Sequence, residues 1–280
     1  MENFLHRMKL DQMLVKRLLV VIILTPLGIL AINAGGWIFN ITIIMILGIA
    51  AWEFWRIFTR GGFHPSRLIL ILSTVAISLV RSLFEFSGSE IILGLIILAA
   101  MADQTIRFGD EDQSPALNFC ITVTGALYIG FLGSYMISIR MLENGNWLLL
   151  LILPIVWMAD GGAYLIGRLF GKRKLAAKVS PNKTWEGYFG GVAFGTLGGG
   201  LLTYFLGAQI SLFSPLYGLF IGLILSLVSP LGDLGESMIK RQFGVKDSGK
   251  LLPGHGGILD RIDSWLWASF IGYYLLLILI

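Results

Sequence analysis

Apolar stretches long enough to cross a bilayer recur from one end of this chain to the other. A helix needs about 20 mostly apolar residues to traverse roughly 30 Å of hydrocarbon. Nine candidate spans can be read, at 18–34, 37–55, 68–84, 91–102, 117–139, 147–169, 187–207, 215–234 and 265–280. Composition agrees, because only 14% of the 280 residues are charged where a soluble domain averages roughly 25%. With a mean hydropathy of +0.80, too little polar surface exists to wrap a water-soluble globule. The expected fold is an all-α polytopic membrane protein embedded in a lipid bilayer. The single cysteine, Cys120, lies in an apolar run and excludes an intramolecular disulfide or a Cys-ligated zinc site. A net charge of +4 matters less in such a protein than where the cations fall, so no nucleic-acid partner is expected. The basic residues ahead of the first span resemble a signal-peptide n-region, but the apolar pattern continues directly into a second span.

The fourth segment is the weakest, with an apolar core of only about a dozen residues, roughly 20 Å of helix. Charge placement decides in its favour. With nine crossings and a cytoplasmic N-terminus, the inner segments hold Arg7, Lys9, Lys16, Arg17, Arg56, Arg60, Arg67 and Arg107. They also hold Arg168, Lys172, Arg173, Lys174, Lys178, Lys183, Lys240, Arg241, Lys246, Lys250 and Arg261, leaving Arg81 and Arg140 outside. Removing the fourth crossing would move the two richest basic loops to the other side, against the positive-inside tendency. The C-terminus is then expected outside, and the protein is expected to be multi-pass in a bacterial inner (plasma) membrane. Two regions follow, 1–145 with about five spans and 146–280 with four spans and two basic cytoplasmic loops. Gly187, Gly191, Gly195 and Gly199 cut a groove along the seventh span where another helix approaches closely. Such small-residue faces are also the expected contact of a homodimer.

The acids mark where chemistry could occur. Asp160 sits well inside the sixth span, and Asp233 near the cytoplasmic end of the eighth, with Glu236 one turn on. An ionisable group inside a span costs at least a few kcal/mol, so each is a functional candidate unless it merely pairs with a basic neighbour. If the eighth helix continues, Asp233, Ser237 and Lys240 fall on one face. Arg241, Lys246, Asp247 and Lys250 follow, then Pro253-Gly254-His255-Gly256-Gly257, which cannot be regular helix. A glycine-rich turn lets backbone N–H groups approach an anion without Cβ in the way. Asp260 and Asp263 stand three apart, and paired hard carboxylates without histidine or thiolate partners suit Mg2+. In the other basic segment, Ser180-Pro181-Asn182-Lys183-Thr184 places hydroxyls and a lysine just ahead of a helix, where an anion is favoured. No Walker A, H-E-x-x-H or C-x-x-C motif is present.

These residues resemble the phosphatidate cytidylyltransferases, also called CDP-diacylglycerol synthases. Ser237-Met-Ile-Lys-Arg241, Lys246-Asp247 and Leu252-Pro-Gly-His-Gly-Gly-Ile-Leu-Asp-Arg-Ile-Asp263 match that family's long C-terminal signature. Trp157-Met-Ala-Asp-Gly-Gly-Ala-Tyr164, Gly167, Phe170-Gly-Lys172 and Ser180-Pro-Asn-Lys-Thr-Trp-Glu-Gly187 resemble its earlier conserved stretches. The likeness covers about the last 125 residues; the first 150 share only apolar spans. Two positions depart: Gly161 stands where many members carry Ser or Thr after the intramembrane Asp, and Ala177 where they carry Pro.

The resemblance implies transfer of a cytidylyl group from CTP to phosphatidate, giving CDP-diacylglycerol and pyrophosphate, with Mg2+ and room for K+ as a second cation. On that reading Asp233, Asp260 and Asp263 are metal ligands, and Asp160 serves a second cation or orients the site. Lys183, Lys240, Arg241 and Lys246 hold phosphates beside the Gly256-Gly257 backbone, and Ser180, Thr184, Ser237, Asp247, His255 and Arg261 complete the substrate site. Two rivals stand against it. An ion-coupled transporter would use Asp160 and Asp233 as ion ligands and Gly161-Gly162 as a helix break, but leaves the loop acids and cations unexplained. Another lipid-linked transferase is the second, although the D-G-x-x-A-R pattern of CDP-alcohol enzymes is missing.

Overall fold

The computed structural model describes residues 20–109, 114–207, 209–210, 214–254 and 256–279. Among these, nine helical rods follow one another: α1 (Val20–Ala34), α2 (Gly36–Arg60), α3 (Arg67–Phe84), α4 (Ser89–Ile106), a composite rod, α7 (Gly145–Phe170), α8 (Trp185–Leu206), α9 (Pro215–Gln242) and α10 (Leu259–Leu279). The composite rod is α5 (Pro115–Gly125), running through a π-helical turn at Ala126–Phe131 into α6 (Leu132–Met141). Eight rods are long and apolar enough to cross a membrane; the described part of α1 is shorter, and its basic approach, Arg7 to Arg17, lies outside the described residues. This is a multi-pass, all-α membrane protein. Large apolar side chains such as Ile91, Leu98, Leu197 and Ile278 point outward, as they must where the solvent is lipid.

The fourth span is long and apolar enough for a full crossing. α4 runs for 18 residues, about 27 Å, because the helix continues past its apolar core through Glu90, Asp103 and Gln104, polar residues placed at its two ends. Its direction is settled by the elements it joins. At the start of α5, Asn118 Oδ1 accepts from His64 N at 2.8 Å and Thr122 Oγ1 from Ser66 N at 3.1 Å. The α2–α3 turn therefore sits at the same end of the bundle as the α4–α5 connection, where Arg67, Arg107 and His64 line one cavity. That end also gathers the termini of α9 and α10, as Phe243 packs on Phe58 at 5.0 Å between ring centroids. The sequence-inferred inner cations among the described residues thus share one end.

The interior is made where α2, α6, α7 and α10 meet. Leu47, Ala50, Tyr135, Ile137, Leu149, Ile152 and Leu266 are buried. Gly133 lets Leu47 and Leu266 close over it: a methyl there would lie 2.9 Å from Leu47 Cδ1 and 3.1 Å from Leu266 Cδ2. The α8 glycine stripe does the expected packing, within the chain. A Cβ at Gly191 would sit 2.7 Å from the Ala159 carbonyl on α7, and one at Gly199 would sit 3.0 Å from Gly222 on α9. α8 is thereby clasped between α7 and α9. The stripe is thus covered inside one chain.

Arg81, at the end of α3 away from the basic end, is buried. It closes the last turn of α3 and is only 1% exposed. Its guanidinium lies 3.8 Å from the centroid of Phe86 and 4.9 Å from that of Tyr135. The ring faces and the negative end of the helix dipole supply the attraction that water would otherwise provide.

Candidate active site

The cation-rich end of the bundle holds a site built from three pieces. The first is the C-terminal half of α9. The helix does continue past Asp233, so side chains four apart meet: Ser237 Oγ donates to Asp233 Oδ1 at 3.1 Å, and Lys240 Nζ pairs with Glu236 Oε2 at 2.6 Å. The second piece is a hairpin of β1 (Lys174–Ala176) and β2 (Ser180–Thr184), antiparallel with Lys174 opposite Thr184. Thr184 is the N-cap of α8, its Oγ1 accepting from Gly187 N at 3.1 Å. Glu186, in the first turn of α8, accepts from the backbone N–H groups of Lys172 and Arg173 and fixes the hairpin's approach. The hairpin lays Lys183 on α9, where Nζ meets Asp233 Oδ2 at 2.7 Å. Arg241 Nη1 donates to the Val245 carbonyl at 3.3 Å and Nε to that of Val179 at 3.4 Å. Ser180 stays on the strand, opposite Ala176.

The third piece is the loop between α9 and α10 with the first turn of α10. Here the pair Asp260 and Asp263 divides. Asp260 turns back into the loop: Oδ1 accepts from Lys240 Nζ at 2.5 Å, while Oδ2 accepts from Gly257 N at 2.8 Å and from Ser248 N at 3.0 Å, with the Ser248 hydroxyl also 3.0 Å away. Asp263 turns the other way. It is 7% exposed, accepts from Ser264 N at 2.6 Å, and interacts electrostatically with Asp233 on α9 and Asp160 on α7. Asp160 in turn feels Asp233, Lys183 and Arg261.

The two acids of the α10 turn therefore have different partners: Asp260 accepts from Lys240, Ser248 and Gly257, whereas Asp263 lies within electrostatic reach of Asp233 and Asp160. Among the described residues no three His, Cys, Asp or Glu side chains form a ready-made metal cluster. Asp160, Asp233 and Asp263 lie within electrostatic reach of one another. The Gly257 N–H is not free for an anion, since it donates to Asp260. Lys246 and Asp247 are exposed beside the loop, Gly256 takes a positive φ of 88° that suits glycine, and His255 lies outside the described residues.

Sequence comparison now bears on this arrangement. The model of a family described as the cytidylyltransferase family matches residues 15–279. The chain belongs to the cytidylyltransferase family. A phosphatidate cytidylyltransferase of a Synechocystis species is 33% identical over 302 aligned residues, covering 95% of this chain and 97% of the relative. The phosphatidate cytidylyltransferase of Bacillus subtilis is 41% identical over 198 residues, covering 70% and 71%. That of Staphylococcus aureus strain COL is 41% identical over 179 residues, covering 64% and 65%.

This cytidylyltransferase holds one further site-end residue that the motif reading passed over. Glu53 lies in α2, far from the C-terminal signature, and is 0% exposed. Its Oε2 accepts from Ser248 Oγ and from Leu259 N, both at 2.9 Å. The signal was present: Glu53 is an acid inside the second expected span, and the rule that drew attention to Asp160 applies to it equally.

Proposed function

We propose that this cytidylyltransferase converts CTP and phosphatidate to CDP-diacylglycerol and pyrophosphate. The single observation that carries the reading is that Asp160, Asp233 and Asp263, from three helices, lie within electrostatic reach of one another at the basic end of the bundle, with Lys183 paired to Asp233. Lys240, Arg241 and Lys246 follow on α9 and the loop beyond it. In the reaction, an oxygen of the lipid phosphate attacks the α-phosphorus of CTP, the bond to the β-phosphate oxygen breaks, and pyrophosphate leaves. Such displacement asks the protein chiefly to align the two phosphates and to offset charge as it develops. Lys183 stands between the hairpin and Asp233, placed to exchange its carboxylate partner for a phosphate oxygen. Lys240 has three N–H donors, of which Glu236 and Asp260 take two, leaving one for substrate.

A hard divalent ion is proposed at this trio, completed by substrate phosphates and water. Among the described residues neither Asp160 nor Asp263 has a salt bridge, although Asp160 feels Lys183 and Arg261 and Asp263 feels Lys240 at longer range. Mg2+ keeps several waters and uses one or two carboxylates together with substrate phosphates, so a closed protein cage is not required. Asp233 and Asp263 would hold Mg2+, with Asp160 beside them serving a second cation such as K+. When bound, the ion neutralises the phosphate charge on which the displacement depends. Purified protein, radiolabelled CTP, phosphatidate and a Mg2+ titration should yield label in the lipid phase, increasing with Mg2+. No lipid-soluble label at any Mg2+ concentration would overturn the reading.

The same proposal sets the basic end at the cytoplasmic face of a bacterial plasma membrane, where CTP is available, with the N-terminus inside and the C-terminus outside. In a Cys120→Ser background, cysteines placed at 174 and at 250 should react with an impermeant maleimide only in inside-out vesicles. Labelling of either from the outer face would reverse the orientation.

A further inference from the structure

The carboxylate of Glu53 is fully buried at the end of the bundle where nothing in the cytidylyl-transfer scheme uses it. Its surroundings come almost wholly from the loop between α9 and α10. Oε2 holds the Ser248 hydroxyl and the first N–H of α10, that of Leu259. Gly249 and Gly257 press their open sides against the same carboxyl group: a Cβ on Gly249 would collide with Oε1, and one on Gly257 would collide with both carboxylate oxygens and the Ser248 hydroxyl. The glycines flank a socket, and a side chain from α2 fills it.

From that socket the contacts run to the reacting end. The Ser248 hydroxyl that meets Glu53 also lies 3.0 Å from Asp260 Oδ2, and the Ser248 N–H bonds to the same carboxylate. Asp260 Oδ1 holds Lys240, which Glu236 grips from the other side. We infer that Glu53 is a positioning residue: reaching from α2, it clamps Ser248 and the start of α10 so that Asp260 presents Lys240 to the transferred phosphate. This rests on the cytidylyl-transfer reading for its outcome in catalysis, though not for the clamp itself. It gives the N-terminal half of the chain a part in the site that its apolar spans alone do not suggest.

The chemistry distinguishes a clamp from mere filling. Gln keeps a side-chain carbonyl for the same two donors and nearly the same volume, whereas Ala removes the acceptor, and Asp keeps the charge but withdraws it by one methylene. The test measures kcat and KM for CTP together with amide hydrogen exchange of the 246–259 segment in detergent. Loss of a buried acceptor shared by two donors should lower kcat about tenfold to a hundredfold in Glu53→Ala, and Glu53→Gln should stay within about threefold of the parent. Exchange at 246–259 should quicken about tenfold or more in Glu53→Ala and remain near the parent rate in Glu53→Gln. Glu53→Ala combined with Ser248→Ala should cost no more than the worse single change, because both cut one path. If Glu53→Ala does not accumulate, Glu53→Asp takes its place with the same expectations. Equal losses in the Gln and Ala (or Asp) variants, additive effects with Ser248→Ala, or unaltered exchange would each overturn the clamp. A parent protein inactive on CTP and phosphatidate would instead remove the functional reading, while the exchange measurement would still decide the clamp.

Discussion

Asp263→Asn should abolish cytidylyl transfer while leaving the protein folded. The substitution preserves shape, and an amide oxygen can still accept from Ser264 N, the side-chain hydrogen bond of Asp263 among the described residues. What disappears is a negative charge, 7% exposed, that faces Asp233 and Asp160 and has no salt bridge among the described residues. If Asp233 and Asp263 anchor a divalent ion and its phosphates, losing Asp263 should lower kcat/KM by about three orders of magnitude. Stability should hold or rise, since three neighbouring carboxylates repel one another in a poorly solvated site. The measurements are CTP-dependent product formation across a Mg2+ titration and thermal unfolding in detergent. Activity within tenfold of the parent would sink the assignment. A transporter would tolerate this change and be sensitive at Asp160 instead, so the paired Asp160→Asn variant, expected to keep measurable, salt-sensitive activity, separates the two classes.

Lys240→Met should damage both activity and fold. Lys240 stands between Glu236 and Asp260, and the three side chains are 8%, 2% and 5% exposed. Methionine replaces most of the stem but not the ammonium, leaving two buried carboxylates without their shared cation. Breaking a buried pair by removing one partner costs about 3–5 kcal/mol, enough to take away a large part of a typical net stability. Transfer should fall below detection, because Lys240 also carries the remaining phosphate donor. Adding Glu236→Gln to Lys240→Met removes one uncompensated charge, and should recover thermal stability without recovering turnover. Recovery of both would mean that Lys240 serves the fold alone, and an unchanged melting temperature in Lys240→Met would mean that the buried triad is not formed.

The membrane class, the run of spans and the residues that carry the chemistry could all be read along the chain. Each depends on local properties: a span needs only a sufficient apolar run, and the position of cations at span ends follows from the cost of moving them through hydrocarbon. The signature from Ser237 to Asp263 and the Lys183 segment were legible because reactive residue types concentrate there against an otherwise apolar background. Even the weak fourth span was recoverable, since the charges on either side of it demanded a crossing.

What the chain order could not supply was which of those residues meet. Asp260 and Asp263 share a helical turn and look equivalent by spacing, yet one is enclosed by Lys240, Ser248 and Gly257 while the other faces Asp233 and Asp160. That Phe86 and Tyr135 would close around Arg81 could not be read from its place at the outer end of a span. Glu53 lies 195 residues from Ser248, and no periodicity links two positions so far apart. Hydropathy and spacing report the company a residue keeps within a turn or two of its own helix. The partners of a buried charge are chosen by how separate helices pack, and only the tertiary structure brings α2, α9 and α10 together at one end.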